Sequence, residues 1–333
     1  MFQRILAPLD GSDRAEKALP VAARIARATG GTIVLLQVIP PSLEYANVQA
    51  QIPSFTETLS QEARAQAISY LTRIAGSASV AEIKTEIHVL PGVPAQSILT
   101  FAHRNKVDLI VLCSHGYTGF KKWALGSVAQ HIMRHSSAPV LLLREGSPQS
   151  VTPLTDASHP LRVVVALDGS SLAETALVPT IHLVSALSAP QKGELHLLSI
   201  VKPSGQRDPL SSVTMQERAI HAATAYLQML SSELHVTLAA ELGVTITTTV
   251  RVSLDVADAL IRGAELGEET GTYQAYDLLA LATHGRSGLE RWAMGSMAER
   301  ILDGSRLPLL IVRPQRQQRA NGMKTKEQTM VKA

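Results

Sequence analysis

The chain has 333 residues, 45% of them hydrophobic, which predicts a globular protein of about two domains. Its net charge is +3, but residues 313–333 contain six Lys and Arg and one Glu, so the rest of the chain carries about −2. Only 4% of residues are aromatic. This balance argues against a nucleic-acid-binding surface, and no apolar run approaches the length of a membrane span. The single cysteine, Cys113, fits a reducing compartment, so we expect a cytoplasmic protein that contacts neither nucleic acid nor membrane.

Short apolar runs alternate with segments of helical period, which predicts parallel sheets covered by helices on both faces. In chain order, the predicted strands are residues 4–9, 32–39, 83–90, 108–113, 139–143, 162–167, 194–201, 244–252, 277–282 and 308–312. The clearest helices are predicted at residues 13–29, 57–74, 128–135 and 297–303. Pro20 and Pro179 lie inside the first helix of each half, where a kink is expected.

The same sequence pattern is present twice. Residues 4–12 return 158 positions later as residues 162–170, and residues 138–144 return 169 positions later as residues 307–313. A period this long means two whole domains. We predict two doubly wound α/β domains, each with a five-stranded parallel sheet in the order 3-2-1-4-5, at residues 1–147 and 161–314. A linker at 148–160 joins them, and a basic, disordered tail follows at 315–333.

The predicted strand order places a cleft at the carboxyl ends of the first and fourth strands of each domain. Asp10 and Asp168 follow the first strands, and the glycine-containing segments 116–127 and 285–296 follow the fourth strands. Each segment ends in Gly-Ser at the start of a helix, whose free N–H groups and positive dipole end attract an anion. The geometry suits a phosphate chain.

Each half resembles a UspA-type domain of the universal stress protein family, and the resemblance extends to about Arg313. The family's nucleotide motif is Gly, two residues, Gly, nine residues, Gly, then Ser or Thr. Gly116 with Gly126-Ser127, and Gly285 with Gly295-Ser296, match it from the second glycine onward. Cys113 and Ala282 replace the first glycine. This replacement costs about 1 to 2 kcal/mol if the position is left-handed, and little if it is ordinary strand.

The resemblance implies that each half binds ATP, with Asp10 and Asp168 at the ribose and with Val38 and Ile200 at the adenine. It leaves open whether Mg²⁺ accompanies the nucleotide. The nucleotide-site residues expected in the first half are Pro8, Leu9, Asp10, Ser12, Val38, Cys113, His115, Gly116, Gly119, Gly126, Ser127 and Val128. Those expected in the second half are Leu167, Asp168, Ser170, Ile200, Ala282, His284, Gly285, Gly288, Gly295, Ser296 and Met297.

Simpler interpretations of these residues remain open. A plain turn or a helix cap would also use aspartate at positions 10 and 168, because Asp-Gly-Ser is a common turn sequence. His115 and His284 have no second ligand at metal-binding spacing, which favours a packing role over acid–base or metal chemistry. Cys113 at the end of an apolar strand is more typical of a small buried side chain than of a redox thiol.

The leading hypothesis is a nucleotide-binding stress-response or signalling module with a protein partner of unknown identity. The second is a slow ATP hydrolase or transferase in which Asp10 or Asp168 holds a metal ion or water, although the sequence shows no P-loop motif and no assured cation. The third is an interaction scaffold with silent nucleotide sites. The resemblance also implies pairing of residues 139–143 with 308–312 in an intrachain pseudo-dimer, and it leaves open a homodimer.

Overall fold

The computed structural model describes residues 1–41, 53–114, 125–144, 153–203, 209–267, 275–284 and 294–314, with residues 53–60 and 209–212 described by their backbone alone. The elements of the first half are β1 (Arg4–Leu9), α1 (Asp13–Glu16), α2 (Ala18–Thr29), β2 (Thr32–Ile39), α3 (Pro53–Ala75), a 3₁₀ turn (Ala78–Val80), β3 (Thr85–Pro91), α4 (Pro94–Arg104), β4 (Leu109–Cys113), α5 (Ser127–His135) and β5 (Val140–Leu143). Those of the second half are β6 (Arg162–Leu167), α6 (Ser171–Glu174), α7 (Leu177–Ser188), β7 (Gly193–Val201), α8 (Pro209–Leu234), a π turn (His235–Ala239), β8 (Val244–Val252), α9 (Val256–Leu266), β9 (Leu278–Ala282), α10 (Ser296–Gly304) and β10 (Leu309–Val312).

All ten strands form one sheet in the order β3-β2-β1-β4-β5-β10-β9-β6-β7-β8. Each half therefore has the predicted order 3-2-1-4-5, and its own strands pair in parallel. The halves meet where β5 pairs with β10 in antiparallel register, with Leu141 opposite Leu310. The predicted pseudo-dimer is confirmed, and the strand order reverses between β1 and β4 in the first half and between β6 and β9 in the second.

Two apolar cores lie on opposite faces of this sheet. Along β1, Ile5 and Ala7 belong to one core and Leu6 belongs to the other, because successive side chains point to opposite faces. The first face carries α2 and α3 together with α7 and α8, and the second face carries α4 and α5 together with α9 and α10. Each core thus runs across both halves. In the described part of the chain, no helix combines the length and apolar character that crossing a membrane requires.

The first helix of each half is broken where the sequence predicted a kink. Lys17 separates α1 from α2, and Pro20 is the third residue of α2. Proline has no N–H to donate to the carbonyl of Glu16, four residues earlier, and its ring would clash with that carbonyl. Ending α1 at Glu16 places the proline in a first turn, where no such bond is required. Pro179 stands in the same place in α7, after the short α6.

Strand β3 begins two residues later than predicted. Glu82 adopts a left-handed conformation with φ of 65°, and the N–H of Ile83 donates to the carbonyl of Val80 at 3.2 Å. The turn that follows α3 therefore extends through Ile83, and pairing with β2 starts at Thr85.

Two arginines that are equivalent in the repeat cross the junction between the halves. Arg144 donates to the carbonyl of Leu302 near the end of α10, and Arg313 Nη1 donates to the carbonyl of His135 at the end of α5, 3.2 Å away. A cation at a helix C-terminus also interacts favourably with the helix dipole. Burial lowers the pKa of Arg144 to about 10, against the opposing effect of the Asp303 and Glu265 carboxylates.

We expect Arg144→Ala to lower the free energy of unfolding by about 1.5 to 3 kcal/mol, because a largely buried hydrogen bond from a charged donor is lost. Urea unfolding followed by circular dichroism measures this. The control is Arg262→Ala, which removes an exposed pair with Asp258 within one helix and should change the free energy by less than about 0.5 kcal/mol. Equal effects of the two changes would show that Arg144 contributes nothing specific to the junction.

Candidate functional site

A cavity of about 860 Å³ lies at the carboxyl ends of β6, β7 and β9 in the second half. Its walls come from the turn after β6, the end of β7, the end of β9, the start of α10 and one side of α8. This is the place that the doubly wound order predicted, and the volume is typical of small-molecule sites. The predicted site residues that line it are Leu167, Asp168, Ile200, Ala282, His284, Gly295, Ser296 and Met297.

A hydrogen-bonded turn orients the aspartate of the cleft. Asp168 Oδ1 accepts from the backbone N–H of Ser170 at 3.0 Å and from its hydroxyl at 2.6 Å. Ser170 Oγ in turn caps α6 by accepting from the N–H of Ala173 at 3.2 Å. Gly169 has φ of 81°, a conformation that glycine adopts without strain. Ser170 thus supports the site from behind and does not line the cavity.

The first half repeats this turn atom for atom. Asp10 Oδ1 accepts from the N–H and the hydroxyl of Ser12 at 3.1 and 2.6 Å, and Ser12 Oγ accepts from the N–H of Ala15 at 3.2 Å. Gly11 has φ of 85°. The turn and ligand interpretations of the aspartates are therefore compatible, because the turn uses Oδ1 to fix the direction of the carboxylate.

Backbone hydrogen bonds hold the helix starts against the fourth strands. The N–H of Gly295 donates to the carbonyl of Thr283 at 2.9 Å, and the N–H of Gly126 donates to that of Ser114 at 2.8 Å. A Cβ on Gly295 would lie 3.1 Å from the Thr283 carbonyl oxygen, although its φ of −60° is ordinary. Glycine is favoured here by close approach of two backbone segments.

The helix start in the cleft presents backbone donors. α10 begins at Ser296, one residue earlier than predicted, and its N-cap Gly295 provides no side-chain hydrogen bond. The first-turn N–H groups of a helix have no partner within it, and those of Ser296, Met297 and Ala298 belong to residues that line the cavity. α5 begins in the same way at Ser127 after Gly126. Both starts suit an anion.

The missing first glycine of the motif causes no backbone strain. Cys113 and Ala282 are the last residues of β4 and β9, paired with Leu143 and Val312, and neither has a positive φ. Of the two alternatives that the sequence left open, the ordinary strand conformation is the one observed. Ala282 lines the cavity, and Cys113 is half-buried.

Two further side chains that line this cleft, and one in the first half, were not predicted. Tyr226 lines it from α8, and its hydroxyl donates to Glu174 Oε1 at 2.9 Å. Lys202, one residue beyond β7, brings a positive charge to the cavity. In the first half, Tyr70 lies beside Glu16, and burial together with that carboxylate raises the pKa of Tyr70. Comparing the two halves position by position would have revealed the repeated Tyr and Glu.

His284 has a specific contact at the cleft, since its Nδ1 lies 2.9 Å from the hydroxyl of the buried Thr283. Among the residues that the structure describes, no group of three or more His, Cys, Asp or Glu side chains is placed to hold a metal ion. His115, Gly116, Gly119, Gly285 and Gly288 lie outside the described residues. Pro8 and Leu9 are the last two residues of β1, directly before the turn of Asp10, and Val38 is the last residue but one of the neighbouring strand β2.

Comparisons with known proteins agree on one family. The model described as "Universal stress protein family" matches residues 1–144 and 161–313. Universal stress protein MJ0531 of Methanocaldococcus jannaschii is 29% identical over 145 residues, which are 44% of this chain and 84% of that protein. A universal stress protein of Thermus aquaticus is 32% identical over 145 residues, 43% of this chain and all of that protein.

A solved structure extends the likeness to both halves. The crystal structure of a universal stress protein from Archaeoglobus fulgidus aligns with a TM-score of 0.60 at 21% identity, covering 94% of this chain and 99% of that one. At this identity the match supports the fold, including the tandem arrangement.

Replacing either capping serine tests the turn. We expect Ser170→Ala and Ser12→Ala each to lower the free energy of unfolding by about 1 kcal/mol, because each removes a helix N-cap. Differential scanning calorimetry would show a lower Tm for both variants. Ser171→Ala changes an exposed neighbouring serine at the first helical position and serves as the control. An equal fall in the control would mean that the hydroxyl of Ser170 is not what stabilises the turn.

Proposed function

We propose, since the chain belongs to the universal stress protein family, that it binds ATP in the cleft of each half and acts in stress-response signalling. One observation carries this proposal. In the second half, a helix start without a side-chain cap faces a cavity of about 860 Å³ that an oriented aspartate also lines. The N–H groups at the start of α10 suit the phosphates of a nucleotide, and the Asp168 carboxylate at the same cleft suits its ribose.

The phosphates would lie at the start of α10. The N–H groups of the first turn and the hydroxyl of Ser296 are donors, and the helix dipole favours negative charge at this end. Lys202 adds a positive charge at the same cavity. In this proposal Mg²⁺, where present, is held by the phosphates.

The nucleoside would lie toward β6 and β7. The Asp168 carboxylate accepts hydrogen bonds and so suits ribose hydroxyls, with its direction fixed by Ser170. Ile200 and Val201 bring the backbone of β7 and apolar side chains to the cavity, which suits a flat base recognised at its edge. In the first half, Asp10, Val38 and the helix start at Ser127 occupy the equivalent positions.

A signalling role requires that ATP favour one conformation of the chain over another. The element best placed to respond is α8, because Ala219, Ala222, Ala223 and Tyr226 line the cavity from it. Its hydrogen bond from Tyr226 to Glu174 ties this wall to α6, directly after the aspartate turn. A nucleotide that contacts both elements can therefore change the surface that α8 presents to a protein partner. The setting proposed for this role is the cytoplasm.

Denaturing the freshly purified protein should release adenine nucleotide, because both clefts offer donors for its phosphates. Mass spectrometry identifies the nucleotide and gives its amount per chain. We expect about two ATP per chain when both halves bind, following the repeated turn and helix start. Protein that carries no nucleotide and shows no affinity for ATP, ADP or AMP below the millimolar range would contradict the proposal and favour the interaction scaffold.

Gly295→Asp should weaken ATP binding to the second cleft by about tenfold or more, because it places a negative charge where the phosphates bind. Aspartate is a good N-cap and the φ of −60° suits it, so we expect the fold to be retained after a small shift that relieves the 3.1 Å contact of its Cβ with the Thr283 carbonyl oxygen. Gly126→Asp is the equivalent change in the first half, and calorimetric titration of each variant separates the two sites. Ser232→Asp adds the same charge at an exposed position of α8 outside the cavity lining and should leave the affinity unchanged. Equal loss in this control would mean that net charge alone is responsible.

A further inference from the structure

A second cavity lies on the first face of the sheet, away from the nucleotide clefts. It is an open groove of about 560 Å³ where α2 of the first half runs beside α7 of the second. The 3₁₀ turn after α3 and residues 155 and 157 of the segment between the halves complete its walls. Both halves therefore contribute to the groove.

Two arginines of α2 supply its positive charge. Arg24 and Arg27 are three residues apart, so they lie on the same side of the helix. Arg24 Nη1 donates to the carbonyl of Pro153 at 3.2 Å, and Arg27 Nη2 donates to the carbonyl of Ser79 at 3.2 Å. Each guanidinium is thereby held at the groove by a backbone carbonyl.

The second terminal nitrogen of Arg24 lacks a partner. Arg24 Nη2 has almost no contact with solvent and makes no hydrogen bond to any described residue. Burial lowers the pKa of Arg24, which means that its charge is poorly compensated where it lies. A buried donor without an acceptor is costly, and a ligand in the groove would supply the acceptor once the guanidinium turns toward it.

The nearest carboxylate does not neutralise this arginine. Asp156 acts on Arg24 through its charge, but no ion pair joins these two described side chains. Its Oδ1 accepts from the N–H and hydroxyl of Ser158 at 2.8 and 2.7 Å, which holds it in its own turn. With Arg27 also present, positive charge remains in excess at the groove.

The second half of the repeat does not carry these arginines. The positions 158 residues later, on α7, are His182 and Ser185, and α7 packs on the same core as α2. The two cations are thus specific to the first half. The groove around them is lined by small or apolar residues, among them Ala28, Ala186 and Pro190.

We propose that this groove binds a small organic anion, with a phosphate or carboxylate head against Arg24 and Arg27 and an apolar body against Ala28, Ala186 and Pro190. The volume exceeds what a bare oxyanion fills and lies within the range of small-molecule sites. Because the walls come from both halves, the bound anion connects them. The proposal is independent of ATP binding, since the groove shares no residue with the cleft of the second half.

The test is a titration of the full chain, labelled with ¹⁵N in arginine, with phenyl phosphate, benzoate and neutral benzyl alcohol in the presence of saturating ATP. The Nε–Hε signals of Arg24 and Arg27 are assigned from the variants and followed by NMR. We expect saturable shifts of both signals with an anion and none with benzyl alcohol. Tighter binding of phenyl phosphate identifies a phosphate head, and tighter binding of benzoate identifies a carboxylate head.

Variants decide whether the shifts report a site. Arg24→Gln and Arg27→Gln should each weaken binding by about tenfold, and Arg24→Lys should recover only part of it, because a lysine keeps the charge but not the planar donors. Arg104→Gln, an exposed arginine of α4 on the opposite face, is the control and should bind as the unaltered protein does. Arg27 is exposed, so its variant tests the proposal even if Arg24→Gln fails to fold. Shifts that do not saturate in the millimolar range, or that are equal in all variants, would overturn the proposal.

Discussion

The antiparallel pairing of β5 with β10 is the constraint on which the rest of the structure depends. Leu141, Leu142, Leu309 and Leu310 are fully buried, so neither strand could end a separate sheet without exposing apolar side chains and unpaired backbone groups. Pairing them makes one sheet from two repeats. It also places the end of α5 within reach of Arg313 and the end of α10 within reach of Arg144, so that each half completes a helix terminus of the other.

This pairing relates the halves by an approximate two-fold axis perpendicular to the sheet. Corresponding helices therefore share a face, and α2 comes to lie beside α7 on the first face. The groove with Arg24 and Arg27 arises at this contact, and it is asymmetric because the two helices differ in sequence. The turns of Asp10 and Asp168 thus come from equivalent positions of the repeat, whereas the groove lies where the two halves touch.

The strands could be predicted because apolar runs of limited length occur in the same sequence pattern in both halves. Their order followed from the doubly wound arrangement, in which the loops after the first and fourth strands meet at one cleft. The helix starts at Ser127 and Ser296 followed from Gly-Ser, within one residue. Among contacts between segments distant in sequence, only the pairing of β5 with β10 was expected, and it followed from the resemblance. The side-chain contacts were not predicted, since no local pattern encodes them. The hydrogen bond from Tyr226 to Glu174 joins α8 to α6, and the groove at Arg24 combines three separate segments. The late start of β3 depends on a single left-handed residue, Glu82, which local propensity does not favour.

The reversed direction of the second half has a consequence for valency. Strands β1 and β6 run in opposite directions, so one has its carboxyl end at the top of the ten-stranded sheet and the other at the bottom. A molecule that docks over the turn of Asp168 on one side therefore leaves the turn of Asp10 accessible on the opposite side. One chain therefore holds the two turns at a fixed spacing, which a single domain of this fold achieves only after it dimerises.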